Sequence, residues 1–234
     1  ANELHARPFP VIDVPGRAVL LALADPGDPA RRDRAAERDH LIALLDRYGA
    51  PHPQPGATHY SGRIGKHGLK WESHTEFVTY SVFLEGLGER PFDPADFAVF
   101  PEDWLAASGA VRLTSAMVRI EPYEDAGTVQ AKADDWFEAE SLAINEVLEG
   151  AGVIAGDFRI DPAGHQRFAY FAAPGTGVRR NGRIVQRICE IELYKTMSLL
   201  GLATARELAG PIAEIEQHLS DLVADMSAET AGPE

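Results

Sequence analysis

The sequence predicts an α+β protein with an antiparallel sheet, packed helices and a C-terminal helical hairpin. Candidate strands occupy most of the first two thirds of the chain and candidate helices its end, whereas parallel α/β folds alternate the two. The turn Asp161-Pro162-Ala163-Gly164 joins two apolar runs, as in a β-hairpin. With 234 residues, 45% hydrophobic and 25% charged, the composition is that of a globular protein. We expect one domain over residues 1–226 and a frayed tail over 227–234.

The first half of the chain is divided by prolines, glycines and helix-capping residues. Residues 1–15 contain three prolines and are expected to form an extended arm, followed by an apolar strand over 16–24. Asp28-Pro29 is typical of a helix start, and apolar spacing predicts a helix over 31–48 that ends at Gly49. Alternating apolar residues predict one long strand over 69–84.

The second half ends in helices. A strand is expected over 111–120, residues 123–150 are ambiguous between helix and strand, and the hairpin strands are 157–160 and 167–171. Helical periodicity then predicts a helix over 182–200 that ends at Gly201, and a second over 204–226. Within the second helix, Ile212, Ile215, Leu219 and Leu222 have near-heptad spacing and predict packing within the chain, across a homodimer or against another protein.

Charge and cysteine content exclude several classes of function. The net charge is −14 and residues 89–161 hold 16 acidic and 5 basic residues, which argues against nucleic acid and anionic membranes as partners. The acidic segment is a solvated face or a docking surface for a basic partner. The lone Cys189 excludes an internal disulfide. No apolar run spans a bilayer, no signal peptide is visible, and we expect a cytoplasmic location.

The predicted strand over 69–84 carries the clearest candidate chemistry. Because successive side chains alternate faces, Lys70, Glu72, His74 and Glu76 are expected on one face, with Trp71 and Phe77 on the other. His74 and Glu76 would then be about 7 Å apart, a separation suited to acid–base catalysis on one ligand. The structural alternative is a set of ion pairs on an exposed sheet.

The N-terminal arm is a second candidate cluster. Asn2, Glu3, His5 and Arg7 fall within six residues. Arg7 could bind a carboxylate, phosphate or sulfate, and His5 titrates near neutral pH. The alternative is a tail whose arginine makes a structural ion pair. Pro8 and Pro10 reduce the freedom of the arm, and favour a defined position for it.

A third cluster lies on the predicted helix over 182–200. Arg183 and Arg187 are four residues apart on one helical stripe that also contains Glu190 and Tyr194. Two stacked arginines repel unless an anion lies between them. Glu190 can supply that charge, and an anionic ligand is the other possibility.

Motifs for cofactors and metals are missing. The sequence has no phosphate-binding loop, dinucleotide fingerprint, nucleophile elbow or zinc-protease helix, so we expect no cofactor. The spacing of His5, His59, His67 and His74 is not diagnostic of a metal site, and no metal is expected. Cys189 lies among isoleucines and is expected to be a core residue.

The motifs Asn2-Glu3-Leu4-His5-Ala6-Arg7-Pro8 and Lys70-Trp71-Glu72-Ser73-His74-Thr75-Glu76-Phe77 resemble those of a bacterial family of uncharacterised, membrane-anchored proteins classed as a domain of unknown function. The resemblance extends to about residue 225, and includes Arg159 and the segment Arg183-Ile184-Val185-Gln186-Arg187. It implies a soluble N-terminal part, followed in the family by further helices and membrane segments that are missing here. The chain would be a truncated domain or a stand-alone relative, active in bacterial specialised metabolism.

Together these observations predict a small-molecule enzyme that acts on a polar anionic substrate by elimination, intramolecular cyclisation or hydrolysis. His5, His74 and Glu76 are the expected acid–base residues. The expected substrate-binding residues are Asn2, Glu3, Arg7, Lys70, Arg183, Gln186 and Arg187. The alternative is a non-catalytic ligand-sensing or docking domain.

Overall fold

The computed structural model describes residues 9–26 and 32–230. The chain divides into two compact units, Ala1–Leu193 and Tyr194–Glu234. The first unit contains an eight-stranded sheet, and the described part of the second unit is helical. The predicted α+β class is therefore confirmed. Asp28 and the arm residues Asn2, Glu3, His5 and Arg7 lie outside the described residues.

The sheet is antiparallel except at one pair of strands. The strands are β1 Gly16–Ala24, β2 His59–Ile64, β3 His67–Ser73, β4 Val78–Glu85, β5 Val111–Pro122, β6 Ala143–Val147, β7 Gly152–Ile160 and β8 Gln166–Ala172. Their order in the sheet is β2-β3-β4-β1-β5-β8-β7-β6, and only β5 and β8 run parallel among the described strands. The hairpin predicted around residues 161–164 is confirmed by the pairing of Ile160 with Gln166.

Residues 9–26 and 32–230 contain four α-helices. They are α1 Arg34–Arg47, α2 Glu102–Ala107, α3 Ala126–Trp136 and α4 Val178–Thr230, with short 3₁₀ turns at Pro94–Val99 and Ala139–Ser141. Helix α1 begins later than predicted because Asp33 is its N-cap: the carboxylate accepts hydrogen bonds from the backbone N–H groups of Ala35 and Ala36. The ambiguous segment over 123–150 contains α3, a 3₁₀ turn and β6.

Each face of the sheet is covered by its own core. One core unites β-strand residues with Leu41 of α1, Trp104 of α2 and Val129 of α3. The opposite core contains Ile184 and Ile188 from the first part of α4. The side of the sheet that carries this second core is called the α4 face below.

The predicted strand over 69–84 is two strands joined by a turn. Strand β3 ends at Ser73, and the backbone N–H of His74 donates to the carbonyl of Phe77, 2.9 Å away. The side chain of Arg32 donates to the carbonyl oxygens of His74 and Thr75, at 2.8 and 2.5 Å. This turn contains no glycine, proline or asparagine, so the usual local signal for a turn is missing.

Both predicted C-terminal helices form, but they are parts of one continuous helix. Residues 178–230 form one helix, and the turn expected near Gly201 is helical instead. Glycine within a helix costs only about 1 kcal/mol relative to alanine, and good helix formers surround it. Pro211 is also within α4. Residues 227–230, expected in the frayed tail, continue the helix.

Two aromatic residues that the sequence predicts to be buried give a test of this fold. Trp71 of β3 is 1% exposed, and Phe77, in the turn after β3, is 7% exposed. We expect Trp71→Ala to lower the free energy of unfolding by about 3–5 kcal/mol, because it leaves a large cavity. His74→Ala should cost much less, since His74 is only half-buried. Urea unfolding of both variants measures the difference, and equal large losses would show that His74 serves the core.

Candidate functional site

Polar side chains interrupt the α4 face where β3 and β4 pair. Lys70 lies opposite Ser81, and Glu72 opposite Thr79, in the antiparallel register. Residues directly opposite each other point to the same side of a sheet, and the alternate residues Leu69 and Trp71 enter the core on the other side. Polar and apolar residues alternate in both strands, so the hairpin presents a patch of charged and hydroxyl groups to α4.

Helix α4 meets this patch with polar side chains of its own. The ammonium of Lys70 donates to Gln186 Oε1 at 3.1 Å and forms an ion pair with Glu72 at 3.0 Å. Gln186 Nε2 donates to Glu190 Oε1 at 2.8 Å. Four residues of helix advance about 6 Å and two residues of strand about 6.6 Å. The pair Gln186 and Glu190 therefore matches the spacing of Lys70 and Glu72. These four residues are called the polar row.

The polar row is nearly closed to solvent. Lys70 is 8% exposed, and the side chains of Glu72 and Glu190 are 15% and 19% exposed. A cavity of about 20 Å³ lies among the row, Thr79, Cys189 and neighbouring apolar residues. This volume holds about one water molecule. Burial raises the pKa of the Cys189 thiol to about 12, so this cysteine is a neutral core residue, as the sequence indicates.

A larger cavity opens beside the row. Its volume is about 500 Å³, and it lies between residues 10–15 and the exposed ends of β2, β3 and β4. Lys70 lines both this cavity and the small one. Arg63 supplies a second cation, and Asp13 and Glu85 supply carboxylates. The cavity is lined by residues 10–15 of the arm and by Lys70 of the strand, and no described residue of α4 lines it.

The described part of the arm is held against the start of α4. The backbone N–H of Ile12 donates to the carbonyl of Val178 at 3.2 Å, and Asn181 Nδ2 donates to the carbonyl of Ile12 at 3.4 Å. A Cβ atom at Gly182 would lie 1.7 Å from the carbonyl oxygen of Pro10. Only glycine therefore lets the arm approach the helix this closely.

The two predicted arginines of α4 have different neighbours. Arg187 forms an ion pair with Glu190 at 3.0 Å, and its side chain is 52% exposed. The guanidinium of Arg183 lies 5.6 Å from the centre of the Phe9 ring, a cation–π distance. No described carboxylate lies within ion-pair distance of Arg183. Arg183 is thus a cation beside the arm that is available for an anion.

His74 and Glu76 do not share a strand face as predicted, because both lie in the turn after β3. His74 Nε2 is 3.1 Å from the hydroxyl of Thr79, and its ring packs on Phe77. Since Thr79 is opposite Glu72, His74 lies at the end of the polar row. Glu76 is exposed in the centre of the turn, which separates it from the row.

Sequence reasoning missed the contribution of β4. Thr79 and Ser81 line the small cavity, and their alternation with Tyr80 and Val82 was a signal for one face. That signal is useful only when the register of the β3–β4 hairpin is known. The prediction of one long strand over 69–84 contains no such register. Among the described residues, no group of three or more His, Cys, Asp or Glu side chains is placed to hold a metal ion.

The fold and the site define a class: an α+β protein with a central eight-stranded sheet, one face of which buries a charged row beneath a helix. The chain belongs to the family described as "Protein of unknown function (DUF3422)", which matches residues 1–234. No curated protein and no solved structure matches the chain. In the part of the chain that the structure describes, no helix is long and apolar enough to span a membrane.

Proposed function

We propose that the protein is an enzyme that acts on a small polar anion bound beside the polar row. The observation that carries this proposal is the Lys70–Gln186 contact, which joins two sequence-distant clusters where α4 covers the sheet. Burying ionised groups costs several kcal/mol and contributes little to stability. Charged groups that are buried beside a cavity are therefore candidates for function.

The cations of α4 would hold the anion. Arg183 and Arg187 are four residues apart, so they project from neighbouring turns of one helical face. Arg183 contacts Phe9, and Arg7 is two residues earlier in the sequence. We propose that Arg7, Arg183 and Arg187 bind the carboxylate, phosphate or sulfate of the substrate, because a guanidinium forms two parallel hydrogen bonds to such groups. Asn2, Glu3, Lys70 and Gln186 would complete the substrate contacts.

A histidine would supply the base. His74 is half-buried at the end of the row, and His5 belongs to the arm. Removal of a substrate proton by one of these imidazoles, while the leaving group departs as an anion held by the arginines, produces elimination or intramolecular cyclisation. The same groups fit hydrolysis if the base activates water. Glu76 is exposed in the same turn as His74, and we propose that it orients the imidazole.

The second candidate function is non-catalytic binding of the same anion, as in a ligand-sensing domain. The feature that favours it is the pairing of Lys70 with Glu72 and of Arg187 with Glu190, which leaves few free groups for catalysis. Both candidates need the anion site. The cytoplasmic location and the role in specialised metabolism stay predictions.

We expect Arg183→Gln to weaken the binding of inorganic sulfate about tenfold, because one charge-assisted hydrogen bond is lost. Deletion of residues 1–7 should weaken it by at least a similar factor and leave the fold intact. Isothermal titration calorimetry measures both.

The matched control is Arg34→Gln on the exposed surface of α1, which removes the same charge and should bind sulfate as the natural sequence does. His74→Ala should also retain sulfate binding, since His74 is assigned to proton transfer. Equal affinities in the Arg183 and Arg34 variants would contradict the anion site.

We also propose that a second copy of this chain covers the exposed stripe of α4. Within the second unit, an apolar residue recurs at spacings of four and three, and each is at least 50% exposed: Leu208, Ile212, Ile215, Leu219, Leu222 and Met226. This spacing is the heptad pattern of a coiled coil. In a parallel pair, each copy presents the same seam to the other, so the stripe is self-complementary.

Light scattering should therefore give twice the 25.4 kDa mass of one chain. The double variant Ile215→Lys, Leu222→Lys should convert the dimer to a monomer, because it places charges in the seam. Gln217→Lys, on another side of the helix, is the control and should stay dimeric. A natural chain that is monomeric at about 100 μM, where contacts of even modest affinity are populated, would overturn this proposal.

A further inference from the structure

A separate cavity lies on the face of the sheet opposite α4. It has a volume of about 630 Å³, is open to solvent on one side, and is lined by β1, the start of β5, residues 94–105 and His165. Cavities that bind small molecules usually have volumes of about 300–1,000 Å³. This cavity does not include any residue of the polar row or the arm, so it is independent of the function proposed above.

Most of the cavity wall is apolar. Leu21 and Leu23 come from β1, and Phe97, Phe100 and Leu105 come from the segment that crosses over the sheet. Leu21, Leu23 and Phe100 belong to the buried core, and Phe97 and Leu105 pack against it. The wall is therefore built on fixed elements and suits the apolar body of a ligand.

The wall contains one cation, Arg112. Its guanidinium lies over Gly164, where a Cβ atom would approach Nη2 to 2.5 Å. Gly164 also has a φ of +89°, so the hairpin turn needs glycine for two reasons. Among the described residues, no carboxylate or carbonyl oxygen accepts a hydrogen bond from Arg112. The guanidinium is placed at the cavity without a protein partner there.

His165 brings a second polar group to the cavity. Its ring is stacked on Phe97 with centroids 4.0 Å apart, and its Nδ1 is 2.8 Å from the hydroxyl of Ser115. Burial is the main cause that lowers the pKa of His165. The charge of Asp161 raises this pKa in part, and the charge of Arg112 lowers it. The imidazole is therefore neutral at pH 7. The Ser115 hydroxyl donates to the carbonyl of Gly164 at 3.2 Å, so Nδ1–H of His165 donates to the Ser115 oxygen and Nε2 is an acceptor.

We propose that this cavity binds a small apolar molecule that carries a single carboxylate. The apolar body lies against Leu21, Leu23 and Leu105, and the carboxylate accepts hydrogen bonds from Arg112. Glu102 also lines the cavity, and its negative charge disfavours ligands with a second carboxylate. The chemistry of the wall thus selects a monocarboxylic acid with an alkyl or aryl body.

The test is calorimetric titration of the full chain with decanoate and with 1-decanol, its uncharged counterpart. Decanoate should bind with a Kd below about 1 mM, and Arg112→Gln should weaken it about tenfold, because one charge-assisted pair is lost. Binding of 1-decanol should be weaker and should not respond to Arg112→Gln. Ala98→Trp, at an exposed position of the rim, should abolish binding of both by filling the cavity.

Three further variants make the result specific. Arg34→Gln removes an equal charge from α1 and should bind decanoate normally. Arg183→Gln should also do so, which separates this site from the proposed anion site. Glu102→Gln should bind decanoate equally or more tightly, because it removes a negative charge from the cavity, and weaker binding would contradict the proposed position of the carboxylate. Equal affinities in the Arg112 and Arg34 variants, or normal binding by Ala98→Trp, would overturn the proposal.

Discussion

The contact between Lys70 and Gln186 is the constraint on which the α4 face depends. An ammonium group that leaves water must regain its hydrogen bonds and a counter-charge, or burial costs several kcal/mol. Glu72 supplies the charge from the same strand, and Gln186 supplies an acceptor from α4. The helix must therefore lie in one register along β3. A shift by one residue would turn Gln186 away and leave Lys70 without its acceptor.

This register also fixes the N-terminal segment. With α4 in place, Gly182 is the point at which Pro10 passes the helix, and Asn181 binds the carbonyl of Ile12. The apolar residues Ile184 and Ile188 meanwhile pack on the sheet. One helix thus combines an apolar stripe that stabilises the fold with a polar stripe that does not. The second stripe is the part of the molecule to which we assign the proposed function.

The sequence predicts the composition of this site better than its geometry. Alternation identifies Lys70 and Glu72 as neighbours on one face, and helical spacing groups Arg183 with Arg187. The turn after Ser73 could not be predicted locally, since Arg32, more than 40 residues away, holds its carbonyl groups. Glu76 was therefore misplaced. Gly201 indicates a helix end in the sequence. A single glycine, however, lowers helix stability too little to end a helix made of strong helix formers. The turn after Ser73 thus depends on a contact distant in sequence, and the continuity of α4 depends on a small local energy.

The central claim is that the polar row exists for function and not for stability. Replacement of the whole row by apolar residues of similar size, Lys70→Met, Glu72→Leu, Gln186→Leu and Glu190→Leu together, measures this directly. The account predicts a free energy of unfolding equal to that of the natural chain or up to about 4 kcal/mol higher, because none of the charges of the row is left buried, together with a loss of sulfate binding. A variant that is destabilised by several kcal/mol and still binds sulfate with its original affinity would contradict the account.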